Sequence, residues 1–292
     1  MDTPVLLGEA LQFFTLALER AGVENARCNA EWIFCHVLRV TRADLILDRG
    51  FRHLSQKERE KLEKLISRRA MREPLQYILG ETSFCGYEIE TVPGVLVPRP
   101  ETELLAERAA DFLKKRKEAK ILDYCTGSAC IAVVLAKFCP GTNLYAIDIS
   151  ENALEIAARN LRRHSLCSRI HLIKGDSLRA AEWEAPFDLI ISNPPYIPTG
   201  EIERLEPEVS RYEPREALDG GVDGLDFYRQ IAEQAPEFLK KDGVLMAEFG
   251  DGQWPEIKNI FEQKGWEEII SQRDYCKKER FFIAKYFKNL HS

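Results

Sequence analysis

The sequence predicts an α/β protein: a mostly parallel sheet covered by helices on both faces, preceded by a small helical block. Three observations carry this. From residue 120 onward strand-like and helix-like patterns alternate, as crossover connections between parallel strands require. The strand-like segments include short apolar runs such as FDLII (187–191), which suit buried central strands. Residues 1–73 carry helical periodicity and no strand signal.

In LLGEALQFFTLALERAG (6–22) apolar residues recur at spacings of three and four, and Gly22 supplies a stop. NAEWIFCHVL (29–38) and a short ADLILD (43–48) follow. SQKEREKLEKLISRR (55–69) opens with Ser55 and has Glu58 three residues on, a capping box. Residues 74–98, rich in β-branched and aromatic residues and punctuated by Gly80, Gly86 and Gly94, read as a β-hairpin linker. Pro100 opens a helix through ETELLAERAADFLKKRK, acids early and bases late, as the helix dipole favours. Residues 99–292 form the α/β domain. Its strands are KILDYC (120–125), NLYAIDI (143–149), RIHLIKG (169–175), FDLIISN (187–193) and GVLMAEFG (243–250), with closing strands near 267–272 and 280–287. Helices are expected at 129–138, 151–164, 226–241 and 253–264, with Leu154, Ala157, Ala158 and Leu161 as the buried stripe of the second. A long polar loop, 199–224, either shapes a substrate entrance or is a mobile connection.

The 292 residues are 45% hydrophobic and 30% charged, the balance of a globular protein with a full core. A net charge of −6 argues against coating nucleic acid through a general positive field. Basic runs such as KKRK and RNLRRH are explained by solvated helix faces. The N-terminus has acids at positions 2 and 9 and no basic segment before an apolar core, so no signal peptide is read. No apolar run is long enough to span a bilayer, and a cytoplasmic location is expected. The eight cysteines include no C-x-x-C pair and lie mostly in apolar segments, which suggests reduced, buried thiols. The five histidines are scattered, and no metal site is expected.

Ligands of open α/β sheets bind beyond the carboxyl ends of the strands, near the switch in strand order. Four such ends carry candidate residues. In DYCTGSAC (123–130) a strand runs into a turn with one glycine, Gly127, and then a helix from about Ser128. It is either an ordinary βα turn or one that lets a ligand approach its free N–H groups. In AIDIS (146–150) Asp148 can accept from two ribose hydroxyls, or cap the next helix, which Ser150 could do instead. In KGDSL (174–178) Asp176 lies where an adenine would rest, or is a turn aspartate. Together the first two ends indicate a nucleoside-containing cofactor. The fourth end is SNPPYIP (192–198). Asn193 offers a carbonyl acceptor, Pro194 and Pro195 offer carbonyls without N–H donors, and Tyr196 offers a flat face. Such a set suits a planar –NH2 group.

These residues resemble a known family. NPPY is similar to the amino-methyltransferases that modify planar amide or exocyclic nitrogens. REPLQYILGETSFCGYEIETVPGVLVPRPETELL (72–105), EPREALDGGVDGLDFYRQI (213–231), LMAEFGDGQ (245–253) and the helical N-terminal block resemble the HemK/PrmC family of peptide chain release factor glutamine N5-methyltransferases. The resemblance implies a class I S-adenosylmethionine-dependent methyltransferase fold (Rossmann-like), S-adenosylmethionine as cofactor, S-adenosylhomocysteine as product, and class-1 release factors as protein substrate. It implies cofactor contacts at Cys125, Thr126, Gly127, Ser128, Ala129, Asp148, Ile149, Asp176, Ser177 and Asn193. Asn193, Pro194 and Tyr196 are then catalytic, and the glutamine is held by Asn193, Pro194, Pro195 and Tyr196 with Arg99 and Glu101. By analogy, residues 1–73 dock the protein substrate. No stable nucleic-acid or membrane binding is expected.

The sequence departs from the family turn Asp-Leu-Gly-Thr-Gly-Ser-Gly at Cys125 and Ala129. A Cβ at 125 disfavours positive φ. The backbone is therefore expected to avoid positive φ at 125, with modest cofactor affinity. Two other readings stand beside the main one: an N6-adenine methyltransferase acting on DNA or RNA, and a methyltransferase fold that binds a partner without chemistry.

Overall fold

A computed structural model of the chain describes residues 5–48, 50–116 and 118–287. The chain divides into two compact units. One is formed by the residues up to Gly80 with Glu206–Tyr212, the other by Glu81–Leu205 with the residues from Glu213 onward. The expected boundaries at 73 and 98 do not coincide with this division: the hairpin falls in the second unit.

The first unit contains β1 (Val5–Leu6), α1 (Leu7–Arg20), α2 (Ala26–Leu38), α3 (Arg42–Asp48), β2 (His53–Leu54), α4 (Gln56–Ala70) and α5 (Leu75–Leu79). Leu11, Leu18, Ile33, Phe34, Leu62 and Ile66 fill its core. Gly22 takes φ +71° beyond α1, and the Ser55–Glu58 capping box is made. The block expected to lack strands contains one short antiparallel pair, β1 with β2. Two residues per strand leave too little periodicity to read. Arg69, 6% exposed, donates to Asn29 Oδ1, the Glu73 carbonyl and Glu208 Oε1, at 2.8, 2.9 and 2.8 Å. Arg72 bonds Glu208 and Glu206 at 2.7 and 2.9 Å.

In the second unit β3 (Glu81–Phe84) and β4 (Tyr87–Glu90) form the expected hairpin, and α6 (Pro100–Leu113) begins at Pro100. There follow β5 (Lys120–Tyr124), α7 (Cys130–Phe138), β6 (Asn143–Asp148), α8 (Glu151–Arg163), β7 (Ile170–Lys174) and β8 (Phe187–Ser192). The loop expected over 199–224 is structured: 3-10 turns at Thr199–Arg204 and Arg215–Ala217 flank α9 (Pro207–Ser210), which lies in the stretch belonging to the first unit. Then come α10 (Asp226–Phe238), β9 (Leu239–Glu248), α11 (Trp254–Gln263), β10 (Glu267–Arg273) and β11 (Glu279–Lys285).

The sheet order is β10-β11-β9-β8-β5-β6-β7. The pairs from β9 to β7 are parallel, and β11 pairs antiparallel with both β9 and β10. Strand order reverses about β5, so β5 and β8 frame the switch point. Side chains alternate between the two faces. Ile121 and Leu189 join Leu105, Ala109 and Val133 of α6 and α7 on one side. Leu122 and Ile190 join Tyr228, Ile231, Ile257 and Phe261 of α10 and α11 on the other.

Two details correct the sequence reading. The helix after the first turn starts at Cys130 rather than near Ser128. The buried face of α8 is Ala153, Ile156, Ala157, Asn160 and Leu161, while Leu154 and Ala158 are half-buried. Asn160 belongs there because it bonds backbone: Oδ1 accepts from Glu90 N at 2.7 Å, and Nδ2 donates to the Ser128 carbonyl at 3.0 Å. All eight thiols are free, but only Cys35, Cys130 and Cys139 are buried, and Cys167 and Cys276 are exposed.

Candidate active site

The turn after β5 is built from left-handed residues. Cys125, Gly127 and Ala129 take φ of +61°, +54° and +63°. The expectation that a side chain at 125 keeps φ negative is therefore wrong. The reason is over-determination by neighbours. Thr126 N donates to the Ile147 carbonyl at 3.0 Å, and its hydroxyl to Asp123 Oδ2 at 2.6 Å. Gly127 N donates to Asp148 Oδ2 at 2.8 Å, and Ala129 N to the Thr126 carbonyl at 2.9 Å. Together these outweigh the roughly 1–2 kcal/mol that each left-handed L-residue costs.

A cleft lies over this turn. Cys125 and Gly127 line it with Asp148, Ile149, Asp176, Asn193 and Pro195, residues from the ends of β5, β6, β7 and β8. Gly94, Tyr124, Pro214, Glu216 and Phe227 complete much of the wall. Thr126, Ser128 and Ala129 are buried beneath the turn and shape it instead of lining the cleft. Ser177 is half-buried and outside the lining.

Asp148 holds the turn and the next helix together. Besides Gly127 N, it accepts from Ser150 N at 2.9 Å, while the Ser150 hydroxyl caps α8. Burial raises its pKa against these bonds. Each carboxylate oxygen keeps acceptor capacity for a ligand hydroxyl. Ile149 is 57% exposed, an apolar side chain at the cleft wall. Desolvation at the turn, with Asp148 beside it, pushes the half-buried Cys125 thiol well up, so it is a neutral group there. A carboxylate at the second strand end, an apolar wall and a turn open to the cleft fit a nucleoside cofactor with an amino-acid tail.

The Asn193–Tyr196 turn divides its side chains. Asn193 and Pro195 face the cleft, Pro194 is buried, and Tyr196 lines a second, polar cavity with Arg99, Glu101, Glu248 and Arg280. Asn193 Nδ2 donates to Thr102 Oγ1 at 3.0 Å, and that hydroxyl donates to Glu248 Oε2 at 2.7 Å. Arg99 is engaged with Glu213 at 2.6 Å, a carboxylate whose side chain is 1% exposed. Burial raises the Glu213 pKa although Arg99 opposes it. Arg99 thus anchors the chain just before Pro214 and Glu216 of the cleft wall.

The GGVDGL run (220–225) buttresses the turn. Ile197 N donates to Leu218 O and Gly220 N to Ile197 O, both at 2.9 Å. Gln253 Nε2 donates to the Tyr196 carbonyl at 2.9 Å. A Cβ at Gly220 would come within 2.8 Å of Tyr196 Cα, and one at Gly224 within 2.4 Å of Tyr196 O. These glycines are where two backbones meet. Thr102 and Glu248 lie in the family-like segments 72–105 and 245–253, but nothing in the sequence linked them to Asn193, 91 and 55 residues away, which they meet only through the fold.

Among the described residues no helix is long and apolar enough to cross a membrane. Comparison with known proteins gives a consistent picture. The PrmC N-terminal domain matches residues 9–80, and the Methyltransferase small domain matches 100–205. The release factor glutamine methyltransferase of Geobacter sulfurreducens is 44% identical over 257 residues, covering 88% of each chain. That of Rhodospirillum rubrum is 39% identical over 284 residues, 97% of this chain and 86% of the relative. Among solved structures, a ribosomal protein L11 methylase from Lactobacillus delbrueckii subsp. bulgaricus aligns with a TM-score of 0.50 at 19% identity. It covers 68% of this chain and 86% of that one, a likeness of fold. With relatives this similar over most of its length, the chain belongs to the release factor glutamine methyltransferase family, on a class I methyltransferase fold.

Proposed function

We propose that this protein transfers a methyl group from S-adenosylmethionine to the side-chain amide N5 of the glutamine in the Gly-Gly-Gln motif of class-1 peptide chain release factors. One observation carries the reading. Asn193, at the end of β8, lines the same cleft as Asp148 and the Cys125–Gly127 turn. The activity for which the relatives are named supports the substrate class.

Bound S-adenosylmethionine supplies a methyl group already activated by its sulfonium. Asp148 would accept from the ribose hydroxyls, Ile149 and Asp176 would flank the adenine, and the Cys125–Gly127 turn would meet the amino-acid end. An amide nitrogen is a poor nucleophile because its lone pair is delocalised. Asn193 Oδ1 and the Pro194 carbonyl would accept its two N–H bonds, which fixes the nitrogen and favours positive charge developing on it; as the N–CH3 bond formed, the C–S electron pair would leave with S-adenosylhomocysteine, and one of the two held N–H protons would be lost to solvent. Orientation of this kind lowers a barrier by several kcal/mol. Tyr196 lines the polar cavity on the other side of the turn, so its ring would have to swing toward the cleft to cover the amide plane. Within this reading the first unit grips the release factor away from the glutamine, in the cytoplasm, without stable nucleic-acid binding.

The test is incubation of the purified protein with cofactor and release factor, or with oligonucleotides, followed by mass analysis. A single added methyl on the release-factor glutamine is expected. Asn193→Ala should abolish it with an unchanged circular-dichroism spectrum and melt. Near-wild-type turnover in that variant would sink the mechanism, and methylation of the oligonucleotide alone would sink the substrate assignment.

A further inference from the structure

The role of Asn193 depends on which end of its carboxamide faces the cleft. The two ends are nearly isosteric and chemically opposite. Oδ1 toward the cleft accepts from a substrate –NH2; Nδ2 toward the cleft would set donor against donor. Something must hold one orientation.

We propose that Thr102 and Glu248 are positioning residues that fix the Asn193 carboxamide with Oδ1 as its outward acceptor. The inference rests on the function proposed above. Its logic is a count of hydrogens. Thr102 and Glu248 are each 2% exposed, so solvent does not supply alternatives. The Thr102 hydroxyl has one hydrogen, and it stands 2.7 Å from Glu248 Oε2 and 3.0 Å from Asn193 Nδ2. An ionised carboxylate only accepts, so the hydroxyl must spend its hydrogen there. Toward Asn193 it then has only lone pairs, and only the –NH2 end can face them. Each link carries a direction, and the direction starts at the carboxylate.

A protonated Glu248 loses that power, because its carboxyl can donate and the Thr102 hydrogen is released to the other side. Burial raises the Glu248 pKa to about 7. The groups facing it come from several elements: Arg99 and Glu101 at the start of α6, Tyr196 after β8, Tyr228 from α10 and Arg280 from β11. Glu101 raises the value further, and Thr102, Arg280 and Arg99 lower it. The orienting chain is therefore complete above pH 7 and released as pH falls below it.

The first measurement follows the side-chain NH2 resonance of Asn193 in labelled protein, assigned by its absence in Asn193→Ala. It should shift with a midpoint near pH 7, and the shift should vanish in Glu248→Gln and Thr102→Val. An unchanged titration in Glu248→Gln overturns the inference, whatever the enzyme methylates. The second is kinetic. Thr102→Val should lower kcat by about 10- to 100-fold, the range for a misplaced group, with little change in KM. Thr102→Ser should restore most of the rate, and Glu248→Gln should be slow and lack the inflection near pH 7. Equal kcat in Thr102→Val and wild type, or equal losses in Thr102→Val and Thr102→Ser with intact folds, overturns it. Absence of methyl transfer in the wild type would instead remove the proposed function, with the resonance titration still deciding the orientation.

Discussion

Gly224→Ala is expected to be far more damaging than Gly252→Ala, although both glycines hold the same backbone conformation. Their φ values are +78° and +82°, so each substitution carries the left-handed cost of roughly 1–2 kcal/mol. At Gly252 nothing lies within 4 Å of the new Cβ, and that cost is the whole effect. At Gly224 the Cβ would sit 2.4 Å from the Tyr196 carbonyl oxygen and 2.7 Å from Gln253 Nε2. Real Cβ contacts stay beyond 3.0 Å, so the Tyr196 backbone or its partner must retreat. The Gln253–Tyr196 hydrogen bond lies in the same space, and losing it costs about 1 kcal/mol. Overpacking of this kind adds about 1–3 kcal/mol, giving a total of about 3–6 kcal/mol against 1–2 at Gly252. Denaturant midpoints of the two variants measure the difference. Turnover should separate them too: a turn displaced by about 1 Å loses on the order of a hundredfold in rate. Equal losses of stability and rate at the two positions would refute the claim that GGVDGL positions the Asn193–Tyr196 turn.

Two further outcomes follow from buried carboxylates. Asp123 is fully buried, and burial raises its pKa from 3.8 to about 7 against the Thr126 hydroxyl bond. Between these values the folded state holds a proton that the unfolded state has released, so wild-type stability falls as pH rises from about 4 to 7. Asp123→Asn should remove that fall, and urea midpoints that differ from wild type by a constant amount across pH would contradict it. Arg99→Ala leaves Glu213 buried without its guanidinium, at a cost of about 1–3 kcal/mol, and should weaken cofactor binding through the Pro214–Ala217 wall. The double variant with Glu213→Gln should recover most of that affinity by calorimetry. An undiminished loss in the double variant would mean that Arg99 acts on the ligand itself.

Features written in local periodicity could be read without coordinates. The alternation after residue 120, the Ser55 capping box and the Pro100 helix start depend on neighbours a few residues apart. The strand ends at Asp148 and Asn193 were legible because parallel strands put their carboxyl ends on one edge. The turn at Cys125 and Ala129 misled the reading, since glycine is sufficient for positive φ and not required when surrounding bonds fix the path. Asn160 broke the expected stripe of α8 because its partners, Glu90 and Ser128, lie on other elements. Arg99 meets a carboxylate 114 residues away, and no short motif records that pairing.

The first unit is discontinuous, and this limits how the molecule can be dissected. Helices α1 to α5 come from the chain up to Gly80, but α9, with Glu206 and Glu208, arrives on a separate stretch. A fragment ending at Gly80 would keep Arg69, almost wholly buried, and lose the carboxylate it bonds at 2.8 Å. A protein trimmed to begin at Glu81 would carry the opposite defect, two acids without their arginines. Neither half is a fair stand-in for its share of the whole, and exchange of this unit between relatives would have to carry both stretches together.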